Sequence, residues 1–191
     1  MRQKCLQQSE IGCTFAPVMK TRRTIAMMNR EFLQAQGFEG FKTVGELMGG
    51  AKTLIPARMG VYVVLRESEA APQFQSEGTG GFFKGRNPNV SLAELTDNWV
   101  EGTQVVYIGK AGGSDSSATL QKRLTQYLRF GQGANVGHWG GRYIWQLADS
   151  RDLAVCWKTL SNEDPRDVEQ KMIADFKAVH ACKRPFANLK D

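Results

Sequence analysis

Arg123 and Tyr127 lie four residues apart in a stretch where Leu120, Leu124, Tyr127 and Leu128 recur at helical spacing. Both side chains should therefore project from one face of one helix. The planar fork of an arginine can donate two hydrogen bonds at once to a phosphate. Glu169, in a later helical stretch, offers a hard carboxylate oxygen of the kind Mg2+ takes while keeping most of its waters. Tyr62 and Tyr107 stand in two stretches rich in β-branched and aromatic residues, Gly60-Val-Tyr-Val-Val-Leu-Arg66 and Gln104-Val-Val-Tyr-Ile-Gly109. A free phenol titrates near pH ~10, so a tyrosine acting as base needs nearby positive charge or a metal-bound water. Lys110 could supply that charge or take the proton itself. Hydrolysis of a phosphodiester requires a positioned water, a base, and compensation for charge growing on the phosphate and leaving oxygen. These residue types cover each requirement, and one carboxylate plus the substrate phosphate is chemically sufficient to hold one Mg2+.

Each residue taken singly has a plainer reading. Tyr62 and Tyr107 are ordinary strand aromatics, and Arg123 is one more solvated base beside Lys122 and Arg129. Glu169 sits near a helix start, where the dipole favours acids. His138, beside Trp139 in a glycine-rich stretch, reads first as a surface-loop histidine and second as a DNA contact. His180 falls near a helix end, where it complements the dipole. Gly131-Gln-Gly-Ala-Asn-Val-Gly137 has no Lys-Ser/Thr ending and follows no strand, so it is not a phosphate-loop signature.

The elements that must position these residues are legible in outline. Thr43-Val-Gly-Glu46 and Ser91-Leu-Ala-Glu94 match the capping box and open short helices, toward Met48 and Trp99. The two β-rich stretches predict strands at 60–66 and 104–109, central in the sheet. Helical spacing covers 118–129. Tyr143, Trp145 and Leu147 alternate, as do Leu153, Val155 and Trp157, which predicts two further strands joined by a hairpin turn at Asp149-Ser-Arg-Asp152. Asp164-Pro165 starts a last helix, 165–180, with the stripe Val168, Met172, Phe176 and Val179. The expectation is an α/β (α+β) domain: a small mixed or antiparallel β-sheet flanked by helices, without the βαβ rhythm of a doubly wound sheet.

Of 191 residues, 41% are hydrophobic and 23% charged, ordinary values for a folded chain. No segment approaches the ~18 consecutive apolar residues of a membrane span. The net charge of +6 permits a polyanionic partner. Within residues 1–30 six bases (Arg2, Lys4, Lys20, Arg22, Arg23, Arg30) face one acid, Glu10, and residues 1–28 read as a flexible basic extension outside the fold. The cysteines, Cys5, Cys13, Cys156 and Cys182, form no CxxC pair. That argues against a structural zinc site, and reduced thiols in a cytoplasm are the default.

Gly60-Val-Tyr62 followed by Tyr107-Ile-Gly109 resembles the paired tripeptides of the GIY-YIG endonucleases, with valine for the first isoleucine. Arg123, Tyr127, Glu169 and Asn188 follow in that family's order, and the resemblance covers roughly residues 58–190. It implies a GIY-YIG nuclease-like fold over 29–191 and Mg2+-dependent hydrolysis of DNA, with Mn2+ able to substitute. Glu169 would hold the metal, Tyr62 would help activate the attacking water, and Tyr107 would lie beside it. Tyr127 takes a place where many members carry histidine. Asn188 would hold local structure or a phosphate. The rival readings are a catalytically silent nucleic-acid-binding module and an interaction domain with coincidental motifs.

The chain departs from the family in one respect. Residues 61–104 separate the two tripeptide regions, and 67–101 reads as an insertion between the first two strands. Loop closure grows costly only slowly with length, so pairing survives such an insertion. Lys84, Arg86 and Asn87, near Phe82 and Phe83, offer phosphate and stacking contacts, and the insertion is expected to wrap the substrate.

Overall fold

The computed structural model describes residues 28–114 and 116–190. The basic stretch 1–28 therefore lies outside the described residues except for Met28, which is buried. The elements in chain order are α1 (Arg30–Ala35), β1 (Glu39–Thr43), α2 (Val44–Met48), β2 (Gly60–Leu65), α3 (Leu92–Asn98), β3 (Val105–Ala111), α4 (Leu120–Gly131), β4 (Ala154–Thr159) and α5 (Pro165–Val179). Short 3₁₀ segments occupy Ala51–Leu54, Phe83–Gly85 and Trp139–Gln146.

Four strands form one antiparallel sheet in the order β1-β4-β2-β3. The protein is thus a mixed α+β fold. β2 is buried at every position because both its faces are covered. Tyr62 and Val64 join a core with Leu120, Leu124 and Tyr127 of α4. Val61, Val63 and Leu65 join a second core with Leu33 of α1 and Ile173 and Phe176 of α5. Burial on both faces is the reason this strand reads as a continuous apolar run instead of an alternation.

The local signals that succeeded were chemical ones. Thr43 and Glu46 make the full reciprocal cap: the Thr43 hydroxyl accepts from the Glu46 amide at 3.1 Å, and the Glu46 carboxylate accepts from the Thr43 amide at 2.8 Å. Ser91 accepts from the Glu94 amide, but the Glu94 carboxylate is engaged by the Tyr143 hydroxyl. Asp164 caps α5 ahead of Pro165.

Three expectations need correcting. The strand expected over 142–147 is a 3₁₀ segment, Trp139–Gln146, in which Tyr143, Ile144, Trp145 and Gln146 are all buried. Burial on every side erased the difference between an alternation and a helical turn. Accordingly the turn at 149–152 joins that segment to β4 and closes no hairpin. Finally, β3 is an edge strand, and the other interior strand is β4. The outer edge of β3 is not left bare: Ala187 donates its amide to the Val106 carbonyl at 2.9 Å, and Asn188 covers Ile108. Helix α1 and strand β1 had no sequence expectation at all.

Candidate functional site

The tripeptides meet as neighbouring strands, with Tyr62 opposite Gly109 and Gly60 opposite Ala111. Directly opposed residues share a face, so the Tyr62 ring lies across Gly109. A Cβ placed on Gly109 would sit 2.4 Å from Tyr62 Cζ, and one on Gly60 would sit 2.1 Å from the Lys158 carbonyl oxygen. Both glycines are required by close approach, one to an aromatic ring and one to the backbone of β4. Tyr107 pairs with Val64 in the same unbroken register and so lies on the face of Tyr62, and a bulge at the following Val64/Leu65 step leaves Val106 unopposed. Their ring centroids are 5.9 Å apart.

Arg123 arrives from α4, half-buried, its Nη1 donating to the Gly137 carbonyl at 3.3 Å. Burial works against its charge, but attraction to Tyr62 and Tyr107, with Glu169 as a smaller contributor, outweighs that and raises its pKa. The phenols respond in the opposite sense. Burial, reinforced by Tyr107, holds the Tyr62 phenol well above the usual value, while Arg123 opposes the shift. Tyr107 is raised too, by burial and by Glu169, again with Arg123 opposing. Tyr62 Oη, close as it is to these groups, has no partner in hydrogen-bond geometry.

Tyr107 and Glu169 open onto one groove of about 590 Å3, whose wall also includes Trp139, Arg142, Arg184, Asn188 and Lys190. Glu169 is half-buried on α5. The structure therefore gathers Tyr62, Tyr107, Arg123 and Glu169 from β2, β3, α4 and α5, with Tyr107 and Glu169 at the groove and Tyr62 packed behind.

Tyr127 lies deeper. It is fully buried, its ring 4.7 Å from Trp145 and 5.0 Å from His138, and its hydroxyl has no partner. Lys110 pairs in register with Val61, so it leaves β3 on the face opposite Tyr62, where its Nζ donates to the Gly112 carbonyl at 3.4 Å. Asp164 caps α5 and also accepts from the Ser114 amide at 2.8 Å, fastening the loop after β3 to that helix. Those backbone bonds, with Lys110 nearby, hold its carboxyl below the usual range. This brace had a sequence signal only as a helix cap. Asn188 Oδ1 accepts from the Ile108 amide at 2.9 Å and its Nδ2 donates to the Ile108 carbonyl at 2.8 Å, so the side chain imitates a strand partner. It holds local structure.

His138 corrects an expectation: it is fully buried, not a surface-loop residue. It packs edge-on to Tyr127 and to Tyr107, 6.2 Å away, and Gly141 passes close enough that a Cβ there would lie 3.6 Å from the imidazole. Glycine-rich sequence reads as exposed loop, yet here it lets backbone pack against rings. Neither ring nitrogen has a partner, and burial, helped by Arg123, keeps the imidazole neutral, its pKa well below 6.5. The unfolded chain takes up a proton below about pH 6.5 while the folded chain does not, so stability present above that pH should be lost as pH falls. The expected slope reaches about 1.4 kcal/mol per pH unit from this group. Urea titrations between pH 7 and 5 should show it in the native chain and a flatter dependence in His138→Phe. Identical dependences would place the proton uptake elsewhere.

Lys84 and Arg86 are exposed at the tip of the 67–101 segment. That tip is docked: the Gly81 amide donates to the Phe130 carbonyl at 2.8 Å and the Lys84 amide to Asn135 Oδ1 at 3.0 Å. Arg86 reaches Trp139 on the groove wall, its guanidinium 5.2 Å from the ring centre. His180 donates Nδ1–H to the Phe176 carbonyl at 2.9 Å, at the end of α5. Cys156 and Cys182 are free thiols, the first buried and pushed up to about 12 by that burial.

Among the described residues no group of three or more His, Cys, Asp or Glu side chains converges, and no helix is long and apolar enough to cross a membrane. No family model, curated protein or solved structure matches the chain.

Proposed function

We propose that the protein is a Mg2+-dependent endonuclease that hydrolyses DNA phosphodiester bonds, of the GIY-YIG type that the tripeptides and their following residues resemble. One observation carries this reading. Tyr62, Tyr107, Arg123 and Glu169, far apart in sequence, share one electrostatic neighbourhood beside one groove. A coincidental motif would have no reason to converge.

The donor set suits the metal. Among the described residues Glu169 is the carboxylate on the groove, and one half-buried carboxylate is unsuited to a closed zinc or calcium cage but matches Mg2+, which keeps several waters and takes further oxygens from a substrate phosphate. Bound at Glu169, Mg2+ or Mn2+ would compensate charge growing on the phosphate and leaving oxygen, and would remove the carboxylate repulsion that adds to burial in raising the Tyr107 pKa.

The chain's own residues supply the rest. Arg142, Arg184 and Lys190 on the groove wall attract the DNA backbone. Arg123 stabilises negative charge beside the phenols and is the group that favours their ionised forms. Tyr107, opening on the groove, orients the attacking water, and Tyr62 behind it fixes the angle of that ring. Burial holds both phenols protonated at rest, so they begin as hydrogen-bonding groups and not as bases. Lys110, on the other face of β3, serves the loop that Asp164 fastens. The test is plasmid nicking with and without Mg2+, native against Glu169→Ala.

A further inference from the structure

The planar and cationic groups at the rim of the groove form a set that the hydrolytic chemistry does not use. Trp139 lines the groove with Tyr107 and Glu169. Two guanidinium groups lie over its ring, Arg86 at 5.2 Å and Arg142 at 4.9 Å from the centre, and Arg142 lies equally 4.9 Å from the centre of Tyr143. Neither arginine is committed to a carboxylate among the described residues. On the same docked tip as Arg86, Phe82 is 52% exposed, and Lys84 stands over Phe83 at 5.4 Å.

The arrangement is held in place and is not a chance meeting of surface chains. Arg86 comes from the docked tip, where the Arg86 amide donates to the Phe83 carbonyl at 3.2 Å and Phe83 packs against Gly137, one residue before His138. Lys84 takes a left-handed backbone conformation, φ 55°, to make that turn. The tip is thereby pinned to the segment carrying Trp139.

Flat π surfaces and guanidinium planes bind the faces of bases, and free guanidinium groups bind phosphates. A base face is open only where the nucleotide is unpaired and unstacked, so a duplex cannot use such a platform. We propose that Arg86, Trp139 and Arg142, with Phe82 at the edge, bind unpaired nucleotides of single-stranded DNA next to the phosphodiester that is cut. This rests on the nuclease reading for its purpose, but the binding site is testable without cleavage.

The experiment measures binding of a fluorescein-labelled oligothymidylate, an oligouridylate of the same length and a hairpin duplex to the full chain, without divalent metal. The platform predicts tighter binding of the thymidylate than of the duplex. Trp139→Leu should weaken the single-strand affinity by roughly ten-fold or more, the loss expected for one stacked base. Trp139→Phe should recover most of it, which a merely electrostatic groove would not require. Should the leucine variant fold poorly by circular dichroism, Arg86→Lys at an exposed position makes the same test: it keeps the charge, and single-strand binding alone should weaken. Equal affinity for duplex and single strand, or single-strand binding indifferent to both substitutions, overturns the proposal. Tighter binding of the uridylate overturns its assignment to DNA. A chain that binds single strands through Trp139 yet cuts nothing keeps this site and loses the nuclease; one that nicks plasmid while ignoring Trp139 does the reverse.

Discussion

Gly109→Ala should destabilise the protein by about 3 kcal/mol, a fall in Tm of roughly 6–12 °C for a chain of this size. The new methyl would stand 2.4 Å from Tyr62 Cζ and 2.5 Å from its Oη, and Tyr62 is itself fully buried between β3 and α4. The ring has no free volume to retreat into, because Tyr107 is 5.9 Å away on the same face. Either the ring leaves its rotamer or the two central pairings of β2 and β3 separate. Removing the ring tests the cause: Gly109→Ala combined with Tyr62→Leu should cost clearly less than the sum of the two single changes. Additive losses in thermal melts would mean that the glycine answers to something other than the tyrosine facing it.

Arg123→Lys should reduce cleavage roughly 100- to 1,000-fold, the usual consequence of losing a donor aimed at developing charge. Lysine keeps the positive charge but not the fork, so it isolates geometry from electrostatics. The loss should fall on kcat more than on KM, since the groove-wall cations that attract DNA are untouched. Arg123 sits half-buried with its Nη1 on a backbone carbonyl, so the substitution should leave the melting curve close to native. A variant as active as the native chain would show that Arg123 serves the phenols' packing alone.

The sequence was most informative where a residue's chemistry is local. The Thr43–Glu46 box, the Asp164-Pro165 start and the two tripeptide strands needed no knowledge of the rest of the chain. It was least informative where burial comes from partners distant in sequence. Tyr143, Trp145 and Leu147 alternate, yet their neighbours Ile144 and Gln146 are buried as well, and the segment winds into a 3₁₀ turn. Strand β1 has two exposed residues, one of them a glycine, and no buried position, leaving no pattern to read. His138 was hidden by its glycine neighbours, which permit the backbone approach that buries it. The four groups from Tyr62 to Glu169 were legible as an ordered series that implied one site, but the depth of each side chain was not. Nor was the division that puts Tyr107 at the groove and Tyr62 behind it, because the groove beside Tyr107 is walled by Trp139, Glu169 and Arg184, from segments distant in sequence.

The most direct test of the central claim is a plasmid-nicking assay on the native chain and Glu169→Ala, each with Mg2+ and with chelator. The account predicts nicking by the native chain only when Mg2+ is present, and none by the variant even though it still binds DNA. Equal nicking by both proteins would contradict it, because the Glu169 carboxylate on the groove would then hold nothing the reaction needs.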